Sequence, residues 1–238
     1  MTGVDEIRGE GAVTALDRTV RLFPDPAGGL RALVPVPLDT KKGIRTVRVK
    51  LGRERLEAKF QVIKRGEGKL QALRELKVND NRALAMREDG VELRSFVRKV
   101  TPEARWSGPL RKPTAGRVTA VFGQRRVYGG GATWFHRGVD FAMQSGWPVV
   151  AVAPGRVVYA GRNHTYGNLV VLDHGQTVFT VYMHMKRLVA EEGMTVNEGQ
   201  VIGTMGDTGF ALGPHLHLSA YIAAVSVDPL DLLARGLP

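Results

Sequence analysis

The chain contains no cysteine in 238 residues. Disulfides and thiolate metal sites are therefore excluded, while the redox compartment stays open. No apolar run reaches the 18 or so residues of a membrane-spanning helix. The first residues, Met1-Thr2-Gly3-Val4-Asp5-Glu6, have no basic n-region and no apolar h-region, so they carry no secretory signal. No helix-turn-helix, zinc finger or aromatic RNA-binding pattern occurs, which argues against a specific nucleic-acid partner. Lysine is absent from residues 188–238. The hairpin-like run Gly193–Gly203 is therefore a weak match to a biotin or lipoyl carrier, which needs a lysine at a hairpin tip.

Basic residues, by contrast, are plentiful. The formal net charge is +11, and the excess is uneven. Residues 1–100 hold 22 Lys/Arg against 14 Asp/Glu, and residues 101–238 hold 12 against 9. A basic first half is either a solvated surface or a dock for an anionic polymer, such as cell wall, lipopolysaccharide or nucleic acid. Hydrophobic residues make up 43% of the chain, enough for a core, and 29 Gly with 12 Pro favour frequent tight turns.

Period-two alternation marks strands in the first half. Leu56, Ala58, Phe60 and Val62 alternate with Glu57, Lys59 and Gln61, and Val47, Val49 and Leu51 with Arg48 and Lys50. Each should put one face on a core. Segments 18–23 and 30–38 read as further strands around a Pro24–Gly29 turn, with Pro35 and Pro37 placing the second at a sheet edge. These elements predict a β-sandwich over residues 1–104. Within it, Leu93, Phe96, Val97 and Val100 repeat at helical spacing and predict a helix in 82–100. The Pro- and Gly-rich segment 105–116 reads as a linker. Residues 117–238 alternate strand signals with glycine and predict a compact antiparallel β domain. Asp228 and Pro229 are suited to cap and start a short C-terminal helix. The fold class is thus all-β dominated.

The chain has six histidines. Four stand in three short motifs with one carboxylate: His136-Arg137-Gly138-Val139-Asp140, Tyr182-Met183-His184 and His215-Leu216-His217. Imidazole and carboxylate are ligands of catalytic zinc, where three protein groups leave one position open. His136 and Asp140, at i and i+4, share a face on a strand or a helix. His215 and His217, at i and i+2, share a strand face roughly 7 Å apart, and the spacing leaves open which of them is a ligand. His184 closes a strand. His174, in a turn, and His164, in the loop 162–168 that could edge a groove, read as structural.

The second half resembles the lysostaphin-type zinc metallopeptidases, a family of peptidoglycan endopeptidases. The resemblance is an ordered series over about residues 106–231. It runs through Trp106-Ser107-Gly108-Pro109, Phe122-Gly123, His136-x-Gly-x-Asp140, Ala153-Pro154-Gly155, Tyr166-Gly167-Asn168 and Asp173-His174-Gly175. It continues through Tyr182-x-His184, Gly199-Gln200-x-Ile202-Gly203, Gly206-x-Thr208-Gly209, Gly213-Pro214-His215-x-His217 and Val227-Asp228-Pro229. The resemblance implies zinc held by His136, Asp140 and His217, with His184 and His215 as catalytic histidines that do not bind it. It implies a peptidoglycan substrate and a cell-envelope location, periplasmic or secreted. The first hundred residues resemble, more loosely, the β-sandwich that precedes such peptidases in some envelope proteins, and their charge could bind anionic envelope polymers. Tyr128, eight residues before His136, is a candidate donor to the oxyanion, and Asn168 a candidate substrate contact. Trp147 and Ser219-Ala220 depart from the family pattern and bear on substrate fit. Two other readings remain: a metallopeptidase acting on Gly-rich proteins, and a non-catalytic wall-binding or amidase-activating module. The second predicts missing ligands, and none is missing here.

Overall fold

Strand and turn signals in the sequence translate into twenty strands and two helices among the described residues of the computed structural model. It describes residues 11–63, 71–77, 79–129, 131 and 133–236. Residues 1–6, read above for a signal, lie outside these.

Two compact units form, Met1–Gly66 and Glu67–Pro238. The first contains β1 (Gly11–Ala15), β2 (Arg18–Arg21), β3 (Phe23–Pro24), β4 (Leu30–Arg31), β5 (Gly43–Leu51) and β6 (Glu54–Val62). One sheet has the order β2-β1-β5-β6, and β3 and β4 pair as a ribbon. The alternating strands around 47–51 and 56–62 are β5 and β6, paired antiparallel along their length. Strand β1 left no clear mark in the sequence. Its hairpin to β2 turns on Leu16 and Asp17, both at positive φ (52° and 57°), where Asn-Gly would have been the readable signal. Segment 30–38 pairs only at Leu30–Arg31, since Pro35 and Pro37 cannot donate to a ladder. The alternation of β6 also fails to bury its apolar face: Leu56 is 64% exposed. β6 is one of the sheet's two edge strands, and the buried apolar side chains among the unit's described residues (Val13, Ala15, Val20, Phe23, Leu33) belong to other segments.

The second unit begins with β7 (Gln71–Lys77) and α1 (Asp80–Phe96). There follow β8 (Arg117–Ala120), β9 (Arg125–Gly129), β10 (Thr133–Phe135), β11 (Val139–Ala142), β12 (Pro148–Val150), β13 (Gly155–Asn163) and β14 (Gly167–Gly175). The chain ends through β15 (Val178–Met185), β16 (Arg187–Leu188), β17 (Thr195–Val196), β18 (Val201–Thr204), β19 (His215–Ile222), β20 (Val225–Val227) and α2 (Pro229–Arg235). The main sheet runs β17-β13-β14-β15-β19-β11-β8, with β20 also on β19, and is antiparallel throughout. Two three-stranded sheets flank it, β10-β9-β7 and β12-β18-β16; the β7–β9 pair is parallel. Strands β14 and β15 are buried along nearly their whole length.

Helix α1 starts at an Asn79 cap, whose side chain accepts from the Arg82 N–H. It covers one face of the main sheet: Leu93 and Val97 pack with Leu169, Val171, Phe179, Val181 and Met183. The predicted helix therefore belongs with the peptidase strands rather than with the first sheet. The expected linker is likewise tied down. Arg105 N donates to the His174 carbonyl, Arg111 N to Val152, and Val150 N to Pro113, while Trp106 and Leu110 are buried. Gly175, at φ 86°, leaves room for this strap, because a Cβ there would strike the Glu103 carbonyl. The units divide at 66/67 rather than in 105–116. Proline and glycine in that segment report irregular backbone, not loss of contact. The C-terminal helix is capped as predicted, with Leu230 N donating to the Asp228 carboxylate.

Because Leu93 is buried against β14 and β15 rather than solvated on a connector, Leu93→Ala should cost about 2–5 kcal/mol. Urea unfolding of the full chain checks this; a change below about 0.5 kcal/mol, as at an uninvolved surface position, would contradict the packing.

Candidate metal centre

Strand pairing assembles the site. Asp140 on β11 stands directly opposite His217 on β19, so both side chains leave one face of the sheet. His136 precedes β11 rather than lying on it. Its N–H donates to the Gln124 carbonyl and its own carbonyl accepts from Gly123 N, which anchors it beside the strand. Gly138 makes the crossing possible: a Cβ there would fall 2.5 Å from His217 Nε2.

The three side chains converge on one point. His136 Nε2 lies 3.0 Å from Asp140 Oδ1, His217 Nδ1 lies 2.8 Å from the same oxygen, and the two nitrogens are 2.9 Å apart. The remaining ring nitrogens fix the tautomers. His136 Nδ1–H donates to the Val121 carbonyl, 2.9 Å away. Ser219 Oγ spends its proton on the Arg137 carbonyl and so accepts from His217 Nε2–H at 2.8 Å. Two imidazole lone pairs and a carboxylate oxygen therefore face one another in a buried place. Burial opposes the charge on Asp140, yet in the metal-free site the close contacts with His136 and His217 hold its carboxyl well below the usual range. Burial pushes His217 down to about 4, against the pull of Asp140. Three mutually facing acceptors with outward N–H groups anchored are what a divalent cation satisfies. A tetrahedral zinc with bonds of about 2.0–2.1 Å spaces its ligands roughly 3.3 Å apart, a few tenths of an ångström wider than here. The residues fit the ion.

His184 and His215 stand beside this cluster. Their ring centroids are 4.8 Å apart, and His184 is 6.2 Å from His217. His184 sits near the end of β15 at φ 65°, a strained position for a residue with a Cβ. Its backbone N–H donates to Tyr166 O and its Nδ1–H to Thr208 O. His215 opens β19, with Nδ1–H donating to Gly213 O. Each ring therefore presents Nε2 as its free lone pair. Burial, with help from His215 and His217, lowers His184 to about 3, so it is neutral at neutral pH.

Other expected residues have different settings. Tyr128 is buried, stacked on Phe210 and edge-on to Trp134. Burial pushes its phenol above the ordinary range, against the pull of the Arg126 charge. Asn168, read from sequence as a substrate contact, spends both amide N–H groups on the carbonyls of Met185 and Lys186, and braces the chain just after His184. His174 is structural, bonded to Pro154 O and Thr180 Oγ. His164 is exposed and lines an open cavity of about 440 Å³ with Arg162, Asn163 and Gly209. Sequence reasoning gave Ser219 no role beyond departing from the family pattern, and it missed Arg126, which pairs with Asp140 Oδ2. Nothing in the sequence distinguishes that arginine among 34 basic residues.

The lowered values fix the sign of an acid response. With folded values near 3 and 4, His184 and His217 stay neutral where unfolded histidines, near 6.5, take up protons. Their stabilising effect is present above about pH 6.5 and is lost as pH falls toward 4. Asp140 adds a loss in the same direction below about pH 4. Metal-stripped protein should therefore melt at progressively lower temperature from pH 7 to pH 5. A flat melting temperature would contradict the burial of neutral imidazoles.

Residues 134–229 match the model of peptidase family M23. The chain is 42% identical to the peptidoglycan DD-endopeptidase ShyA of Vibrio cholerae over 104 residues, 43% of this chain and 23% of that protein. It is 37% identical to the murein hydrolase activator NlpD of Escherichia coli over 136 residues, 57% of this chain and 33% of that one. It thus spans a third or less of the length of these relatives. An M23-type crystal structure from Pseudomonas aeruginosa superposes with a TM-score of 0.74 over 98% of this chain and 92% of that one. At 24% identity this likeness speaks to the fold. All five side chains gathered at the centre lie inside the segment that the family model matches, and residues 134–229 of this chain form a domain of peptidase family M23, a family of zinc metallopeptidases.

Proposed function

We propose that this chain is a zinc-dependent endopeptidase that hydrolyses peptide crosslinks of bacterial peptidoglycan, and that it works in the cell envelope or outside the cell. The observation that carries this reading is the pairing of a three-acceptor cluster with two adjacent histidines whose Nε2 atoms are free. Likeness to a peptidoglycan DD-endopeptidase supports the substrate class.

In this reading His136 Nε2, Asp140 Oδ1 and His217 Nδ1 hold the metal. The chemistry a zinc ion supplies when bound is Lewis acidity, which polarises a carbonyl and makes water nucleophilic near neutral pH. The protein's own part is proton transfer and charge stabilisation. With Nδ1–H fixed on Thr208 O or Gly213 O, His184 and His215 keep Nε2 aimed into the site. One takes the proton of the attacking water and passes it to the leaving amine. The other, when protonated, donates to the developing oxyanion. Tyr128 is a further donor candidate, because burial raises its phenol pKa and keeps the proton on. An extended peptide suits a site built on strand ends.

The alternative of Gly-rich protein substrates keeps this chemistry and is separated by product analysis on purified peptidoglycan against Gly-rich protein. A non-catalytic activating role, as the name murein hydrolase activator gives NlpD, is the other alternative. It has no use for a complete donor set beside two histidines with free Nε2 atoms.

His136→Ala, Asp140→Ala and His217→Ala should each lose zinc, measured as metal per chain after dialysis. His184→Ala and His215→Ala should keep it and lose muropeptide cleavage by roughly 10²–10⁴-fold. Zinc retained in His217→Ala but lost in His215→Ala would reverse the roles within the pair.

The basic first half, in the same proposal, adds affinity for anionic envelope polymers through charge. Binding of the full chain to wall material should weaken as salt rises from 20 to 300 mM. Binding indifferent to salt would remove the electrostatic dock.

A further inference from the structure

Arg126 lies on β9, the central strand of the β10-β9-β7 sheet, paired across the ladder with Trp134. That sheet is separate from the main sheet that carries Asp140 and His217. The Arg126 side chain is only 13% exposed, and its Nη2 donates to Asp140 Oδ2. The other carboxylate oxygen, Oδ1, is the one shared with His136 and His217. Each oxygen of Asp140 thus has one task. The same guanidinium stands near enough to Tyr128 to act on its phenol electrostatically.

We infer that Arg126 is a positioning residue of the metal centre, gripping Asp140 Oδ2 so that the carboxylate offers the metal a single oxygen in a fixed direction. The inference rests on the assignment of His136, Asp140 and His217 as ligands. The physical reason is coordination number. A carboxylate can give a divalent ion one oxygen or two, and an ion held by three protein atoms keeps a position open for substrate. Partners one bond beyond the ligands set ligand orientation and change metal affinity by about 10–100-fold when removed. Charge alone predicts the opposite sign, because removing a cation next to a zinc site should tighten binding.

The test is zinc affinity of the full chain, read by competition with a chromophoric chelator. Arg126→Ala should bind zinc about 10–100-fold more weakly than the native chain. Added methylguanidinium should restore most of the loss, and sodium chloride at equal ionic strength should not. Native-like or tighter zinc binding by Arg126→Ala would overturn the inference. So would a loss that methylguanidinium leaves unchanged, since that loss would come from packing of β9. If Arg126→Ala does not fold, Arg126→Lys decides. It keeps the charge but not the planar fork, so weaker zinc binding upholds the inference and native affinity overturns it. Failure of the native chain to bind zinc would instead sink the ligand assignment.

Discussion

Three hydrogen-bond acceptors face each other across 2.8–3.0 Å at the centre of this molecule, and nothing in the protein interior can satisfy all three at once. The arrangement is set from behind. Val121 O and Ser219 Oγ take the outward N–H groups of the two imidazoles, and Arg126 takes the outer oxygen of Asp140. Each partner removes a way for the cluster to relax by rotating a ring or the carboxylate. A cation resolves the conflict, so the constraint that shapes this region is also what makes it a metal site.

Most of the remaining structure serves to hold that geometry. Strand β19 is central: it carries His215 and His217 on one face, lies between β15, near whose end stands His184, and β11, which bears Asp140. Helix α1 closes over β14 and β15, and the strap 105–116 bonds to the end of β14 and to β12. Helix α1 also reaches the loop beside His184. Asp89 accepts from Thr165 N at 2.5 Å, and Tyr166 O accepts from His184 N. An element that precedes the family segment thus steadies a catalytic candidate inside it.

The sequence was most legible where chemistry demands rare residues. Five of the seven side chains singled out as site residues meet at one place because His and Asp at those spacings have few other uses on strands. It was least legible where the functional atom is a backbone carbonyl or a common side chain. Val121, Thr208 and Gly213 act through carbonyls that any residue would supply. Arg126 looks like any other arginine, and Ser219 stands out only as a departure from the family pattern, with no hint that its hydroxyl accepts from His217. Turns were missed for a related reason. Three tight hairpins turn on Leu16-Asp17, Gln176-Thr177 and Ala223-Ala224, all at positive φ without glycine. Tertiary packing there overrides local preference. The domain boundary was misplaced because proline and glycine mark irregular backbone, while Trp106 and Leu110 in the same segment are core residues.

The account depends on where the metal sits. Crystals of the zinc-loaded full chain, measured at the zinc absorption edge, give that position directly. The account predicts one anomalous peak per chain, about 2.0–2.2 Å from His136 Nε2, Asp140 Oδ1 and His217 Nδ1, with Arg126 still on Asp140 Oδ2. A peak bonded to His184 or His215, or no peak between the three acceptors at stoichiometric zinc, would contradict it.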